Sequence, residues 1–171
     1  MSILMCLTVS GCAIGGRRSS MDMQGAAEYA DGVLDAVLSE IEPRVQWTHG
    51  PTTTGSCDVT RRRTVMTIVS AERRGSFLGL VDRFWKKSGY RIKAINNDAD
   101  FPAIFAQTKD GFGVNLIIGG SGQAFFEVDS PCVQKSAVAE STTQPNGPSY
   151  EGADLIPRPN VHSDFWSAGA S

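Results

Sequence analysis

Residues 70–132 read SAERRGSFLGLVDRFWKKSGYRIKAINNDADFPAIFAQTKDGFGVNLIIGGSGQAFFEVDSPC, and the fold turns on how this stretch divides. Phe77, Leu80, Val81, Phe84 and Trp85 recur at i, i+3, i+4, i+7 and i+8. That spacing is one apolar stripe of a 3.6-residue period, so it predicts a helix with one buried face. Ser70 stands as an N-cap, and Glu72 lies in the first turn, where a negative charge suits the helix dipole. Lys86 and Lys87 fall in the last turn, and Gly89 follows as the C′ residue.

After Gly89 the period changes to two. Tyr90, Ile92 and Ala94 alternate with Arg91 and Lys93, and Asn96-Asn97-Asp98 reads as a turn. Phe101, Ala103 and Phe105 share one face of a second strand, which ends at the hairpin signal Lys109-Asp110-Gly111. Phe112, Val114, Leu116 and Ile118 mark a third strand, Gly119 to Gly122 a turn, and Gln123 to Ser130 a fourth strand. Three short connections in a row require an antiparallel meander, because parallel pairs need long crossovers.

An earlier helix is expected from Met23 to Glu42, with Val33, Leu34, Val37, Leu38 and Ile41 as its stripe and Pro43 past its end. Its polar face carries Glu28, Asp31, Asp35 and Glu40, which fits a core-facing helix rather than a basic membrane-surface one. Val45 to His49 is a short strand, residues 51–55 a loop, and Cys57 to Val69 a long strand rich in β-branched residues. The expected fold class is therefore α+β, in the order α-β-β-α-β-β-β-β. A four-strand meander plus two earlier strands forms an antiparallel sheet covered by two helices.

The 171 residues allow one domain plus extensions: a signal segment at 1–11, a tether at 12–22, the domain at 23–134, and a disordered tail at 135–171. The tail is rich in Ser, Thr, Pro, Gly and Ala; Phe165-Trp166 is its isolated aromatic pair. Residues 1–11 are uncharged and end in Val9-Ser10-Gly11 before Cys12, the pattern of a bacterial lipobox in which the cysteine receives a diacylglyceryl group. The run is shorter than the roughly 20 residues of a spanning helix. No Lys or Arg precedes Arg17, so the positive start of a signal segment is missing. The alternative is a cytosolic protein beginning at Met21. In an exported chain, Cys57 and Cys132 are expected to be oxidised to each other; in a cytosolic one both stay reduced.

The chemical motifs are sparse. The four cysteines (Cys6, Cys12, Cys57, Cys132) include no C-x-x-C pair, and with His49 and His162 far apart no zinc ligand set emerges. Asn96, Asp98 and Asp100 share the spacing of the first calcium-loop ligands, but Phe101 and Gln107 stand where Gly and Glu belong. Gly119 to Gly122 lacks the Lys-Ser/Thr of a phosphate loop. No metal and no cofactor is expected. A net charge of −2 gives no footprint for nucleic acid. Arg61, Arg62 and Arg63 form a basic run in which Arg61 and Arg63 share a face. They read as a solvated strand end that discourages edge pairing, or as candidate contacts to anionic head groups or an acidic partner. His49 is a candidate base only if a nucleophile lies near.

Taken together, Cys12 in its lipobox, the helix from Met23, Cys57 opening a strand, the helix of residues 71–88, the run from Gly111 to Leu116 and Asp129-Ser130-Pro131-Cys132 resemble small actinobacterial lipoproteins of the LppA-like type. The resemblance is architectural and carries no catalytic motif. It implies an envelope lipoprotein on the extracytoplasmic side of the cell membrane, anchored through lipid on Cys12. Two functions of different class are expected from here. One is a non-catalytic binding or scaffold domain for an envelope protein, lipid or wall component. The other is a hydrolase of unfamiliar design, with a cytosolic adaptor in place of both if the lipobox match is accidental.

Overall fold

The alternation of apolar side chains in residues 113–129 drives pairing into a sheet, and the two helical stripes close over one face of it. The structure, a computed structural model, describes residues 21–150, 152 and 157–170. The signal segment, most of the tether and Cys12 lie outside the described residues.

In chain order the elements are α1 (Met23–Glu40), β1 (Trp47–His49), β2 (Thr53–Thr54), β3 (Val59–Val65), α2 (Ala71–Lys87), β4 (Arg91–Asn96), β5 (Ala103–Gln107), β6 (Gly113–Ile118) and β7 (Ala124–Asp129). The class is α+β, with one antiparallel sheet of seven strands. The seventh strand is β2, two residues of the expected loop 51–55 that pair with the start of β3. The long strand expected from Cys57 to Val69 is shorter. Its last residues leave the ladder because Ile68 N–H donates to Val161 O, and Val69 N–H to Gly122 O.

The sheet order is β1-β3-β7-β6-β5-β4, with β2 pairing β3 off this path. β4 to β7 form the expected meander, and β3 adds to it by pairing antiparallel with β7, from Thr60↔Asp129 to Val65↔Ala124. Cys57 lies just before β3 and Cys132 just after β7, so the same antiparallel register brings them together. They form a disulfide with Cα atoms 4.8 Å apart.

α1 packs on β3 and β7, and α2 on β4 and β5. Asp22 caps α1: its Oδ1 accepts from Gly25 N–H. Ala26, Ala27 and Ala30 are fully buried, so α1 approaches the sheet closely at its first turns, while Leu34, Val37 and Leu38 continue the stripe. Phe77, Val81 and Trp85 of α2 meet Leu116, Ile118 and Phe126 of the sheet in the same buried cluster. Fully burying one such side chain contributes about 1.5–3 kcal/mol.

The disordered tail expected at 135–171 is corrected by its described residues, which pack on the domain. Met23 N–H donates to Gln134 O, and Gln24 binds both Ser136 Oγ and Ala139 N–H, so residues 134–139 cross the start of α1. Asn146 then covers the outer edge of β1: its Oδ1 accepts from Trp47 N–H and its Nδ2 donates to Val45 O. Gly147 N–H donates to Trp47 O, and a Cβ at Gly147 would lie 2.8 Å from Trp47 backbone atoms, so only glycine fits this approach. The edge strand is thereby protected. Further on, Trp166 is buried edge-on to Phe77, with ring centres 5.1 Å apart, and its indole N–H donates to Pro43 O. Such an extended strap has no apolar period to announce it, because it binds through amides, hydroxyls and one ring.

Candidate binding site

Strand alternation gives the sheet a covered and an open face. Val59, Arg61, Arg63 and Val65 point beneath the helices; Thr60, Arg62 and Thr64 point away. Arg61 and Arg63 do share a face, as expected, but it is the buried one. Their side chains are 2% and 1% exposed, so neither a solvated strand end nor a partner contact describes them. An arginine is tolerated there because α1 presents Asp31 and Asp35 one turn apart on the facing side. Arg63 Nη2 donates to Asp31 Oδ1 at 2.8 Å, and Arg61 Nε lies 3.3 Å from Asp31 Oδ2. Thr52 Oγ1 accepts from Arg61 Nη1 at 2.7 Å, and the strap supplies further partners. Arg61 Nη2 donates to Ala139 O at 2.6 Å, Arg63 Nη2 to Ser141 Oγ at 3.2 Å, and Thr143 Oγ1 to Asp35 Oδ2 at 2.7 Å. Arg63 also stacks 4.6 Å over the Trp47 ring.

His49 belongs to this network. Arginine can only donate, so the 2.8 Å contact from Arg63 Nη1 makes His49 Nδ1 the acceptor. The proton is then on Nε2, which donates to Thr143 O at 2.9 Å. Burial, and next the Arg63 charge, hold the imidazole pKa below its ordinary value. His49 is thus neutral with both nitrogens engaged, and no nucleophile shares its hydrogen bonds. The pairing of Arg61/Arg63 at i, i+2 with Asp31/Asp35 at i, i+4 was the signal available in the sequence. Each pair puts like charges on one face of its element, and opposite charge must meet it.

The open face runs in rows set by the register. Arg62, Glu127 and Asn115 lie side by side, with Thr60 and Asp129 beneath them. Arg62 Nε pairs with Glu127, and its Nη1 donates to Pro51 O and Thr53 Oγ1. Asn115 Nδ2 donates to Asp129 Oδ2 at 3.0 Å, and Thr60 Oγ1 to Asp129 Oδ1 at 2.7 Å. The adjoining row is apolar: Phe125 pairs Ile117, which pairs Ala103. A groove of about 250 Å³ opens there, with Phe125, Ile117 and Pro157 at its apolar surface and the Arg62–Glu127 pair at its rim. Ile117 is 41% exposed, and Phe101, just before β5, is 58% exposed.

Asn96 and Asp98 spend their side chains within their turn, while Asp100 faces Arg74 of α2. Asp98 Oδ1 accepts from the amides of Asp100 and Phe101, which depress its carboxyl pKa, the Phe101 bond more than the Asp100 one. Among the described residues no group of three His, Cys, Asp or Glu is placed to hold a metal ion, and no helix is long and apolar enough to cross a membrane. Compared with protein families, curated proteins and solved structures, the chain matches none.

Proposed function

We propose that this chain is a lipid-anchored, extracytoplasmic binding domain. It is held at the cell membrane through Cys12 and offers its open sheet face to an envelope protein, lipid or wall component. The Cys57–Cys132 bridge carries the reading, since such bonds persist in oxidising compartments and are rare in the cytosol. The lipobox pattern ending at Cys12 supports the anchor. The apolar groove beside Ile117 and Phe125, bounded by a charged rim, has the make-up of a contact surface. Binding is favoured over hydrolysis because His49, the one candidate base, spends both ring nitrogens on Arg63 and Thr143.

The test is the intact mass of the protein from a membrane fraction, before and after reduction. Loss of Met1 to Gly11, added acyl chains, and a gain of one pair of hydrogens on reduction are expected. An unprocessed chain in the soluble fraction with free thiols overturns the proposal and moves the search to cytosolic partners.

A further inference from the structure

At the junction of β3 and α2, a helix N-terminus and a buried arginine meet at a cavity, with the Glu72 carboxylate beside Gly169 at its edge. Ser70 precedes the 17-residue helix α2, whose first amides, those of Ala71 and Glu72, have no intrahelical acceptor. The N-terminal end of such a helix carries about half a positive charge. Ser70 occupies the N-cap position but makes no cap bond. It is 5% exposed, and its Oγ has no hydrogen-bond partner among the described residues. Its backbone is fixed by the strap, through Ser70 N–H to Trp166 O at 2.9 Å.

Against this junction lies the glycine turn between β6 and β7. Gly122 has φ +79°, its carbonyl accepts from Val69 N–H, and a Cβ there would meet Ile68 and Val69 at 2.9 Å. Only glycine permits that approach. A cavity of about 380 Å³ remains, lined by Ser70, Ala71, Arg74 and residues 120–122 among others. Arg74 is its one charged lining residue. Arg74 is 6% exposed and is held by neutral acceptors: Nη2 donates to Gly120 O at 2.7 Å, and Nη1 to Ala99 O and Asp100 O at 3.2 Å. Its Nε has no hydrogen-bond partner among the described residues. Among the described residues the carboxylate paired with it is that of Asp100, 3.8 Å away and 78% exposed, which solvent screens. A second cavity, about 420 Å³ between α2 and the β4–β5 turn, shares Ala71 and Arg74 with the first.

We propose that the cavity at the start of α2 binds a small tetrahedral oxyanion, the phosphate group of a free ion or of a phosphodiester head group. The ligand oxygens take the Ala71 and Glu72 amides and the Ser70 hydroxyl, while Arg74 neutralises the charge from one side. This accounts for a buried serine at the N-cap whose hydroxyl caps nothing. It is not a phosphate loop of the nucleotide-binding kind, because the glycine turn joins two antiparallel strands. The site stands independently of the anchor and of the open sheet face.

The experiment is an amide NMR titration of the full chain with inorganic phosphate, against sodium chloride at matched ionic strength, and in parallel with glycerophosphoglycerol as a soluble phosphodiester. Saturable shifts at Ala71, Glu72 and residues 120–122 are expected with at least one of the two. Phosphate alone identifies a free ion; the diester binding as well or better identifies a head group. Ser70→Ala, which removes a hydroxyl that bonds nothing else, should keep the melting temperature and weaken binding about tenfold. Ser70→Asp should abolish binding while raising the melting temperature, because its carboxylate takes the anion's place. Shifts no larger than those from chloride, shifts centred elsewhere, or unchanged affinity in Ser70→Asp overturn the proposal.

Discussion

Replacing Asp31 by Ala isolates the charge balance of the buried network. Arg61 and Arg63 are 2% and 1% exposed, and Asp31 is the carboxylate that touches both. Asp35 reaches only Arg63, at 3.5 Å, and is 37% exposed. Without Asp31, two buried guanidinium groups face one partly hydrated carboxylate. Removing one partner of a buried pair costs about 3–5 kcal/mol, mostly as the desolvation of the charge left behind. For a chain of this size each kcal/mol shifts the melting temperature by about 2–4 °C, so the loss is roughly 6–20 °C. Asp35→Ala removes a longer, wetter contact and should cost about 1 kcal/mol or less. The assay is urea unfolding of both variants with the slopes compared, so that a change in midpoint reads as stability. The double variant Asp31→Leu/Arg63→Met, which exchanges charges for apolar volume, should recover part of the loss. If Asp31→Ala costs no more than Asp35→Ala, the carboxylate does not compensate the two arginines and the reading of the network fails.

Trp166→Ala should cost about 3–5 kcal/mol by denaturant unfolding, since it empties a site between Phe77 and Pro43; a loss below about 1 kcal/mol means that the strap does not dock. His49 binds its proton more weakly in the fold than the ordinary value of 6.5, so the unfolded chain protonates first as the pH falls. Its contribution is therefore full above about pH 6.5 and declines as the pH drops below it. His49→Gln, which can still accept from Arg63 and donate to Thr143, should flatten that slope in melting curves between about pH 7.5 and 5.5, and an unchanged slope assigns the acid loss to other groups. Cys57→Ser should expose one reactive thiol at Cys132 and cost roughly 4 kcal/mol, because the bridge closes a separation of 75 residues. Full reaction of both cysteines in the unreduced native chain refutes the bridge.

Local periodicity carried most of the architecture. The stripe Phe77 to Trp85 and the alternation after Gly89 are properties of neighbouring residues, and a helix face or strand face needs nothing else to be recognised. So α2, the meander β4 to β7 and the antiparallel class were legible, as was the shared face of Arg61 and Arg63. Which way that face points was not. An arginine pair reads as solvated until a distant carboxylate is known to meet it, and Asp31 lies 30 residues earlier on another element. The strap was hidden for a related reason. Asn146, Thr143 and Trp166 act singly, through one hydrogen bond or one ring each, and leave no period.

Spacing along the chain was enough for the two helices, the meander strands and the lipobox pattern, while it offered the Cys57–Cys132 pair only for an exported chain. The insertion of β3 beside β7, the burial of the arginines, the docking of the described residues after 133 and the empty cap at Ser70 became visible in three dimensions. Those follow from which surfaces meet. Burying a charge or a backbone amide is tolerated only where a partner arrives from elsewhere in the chain.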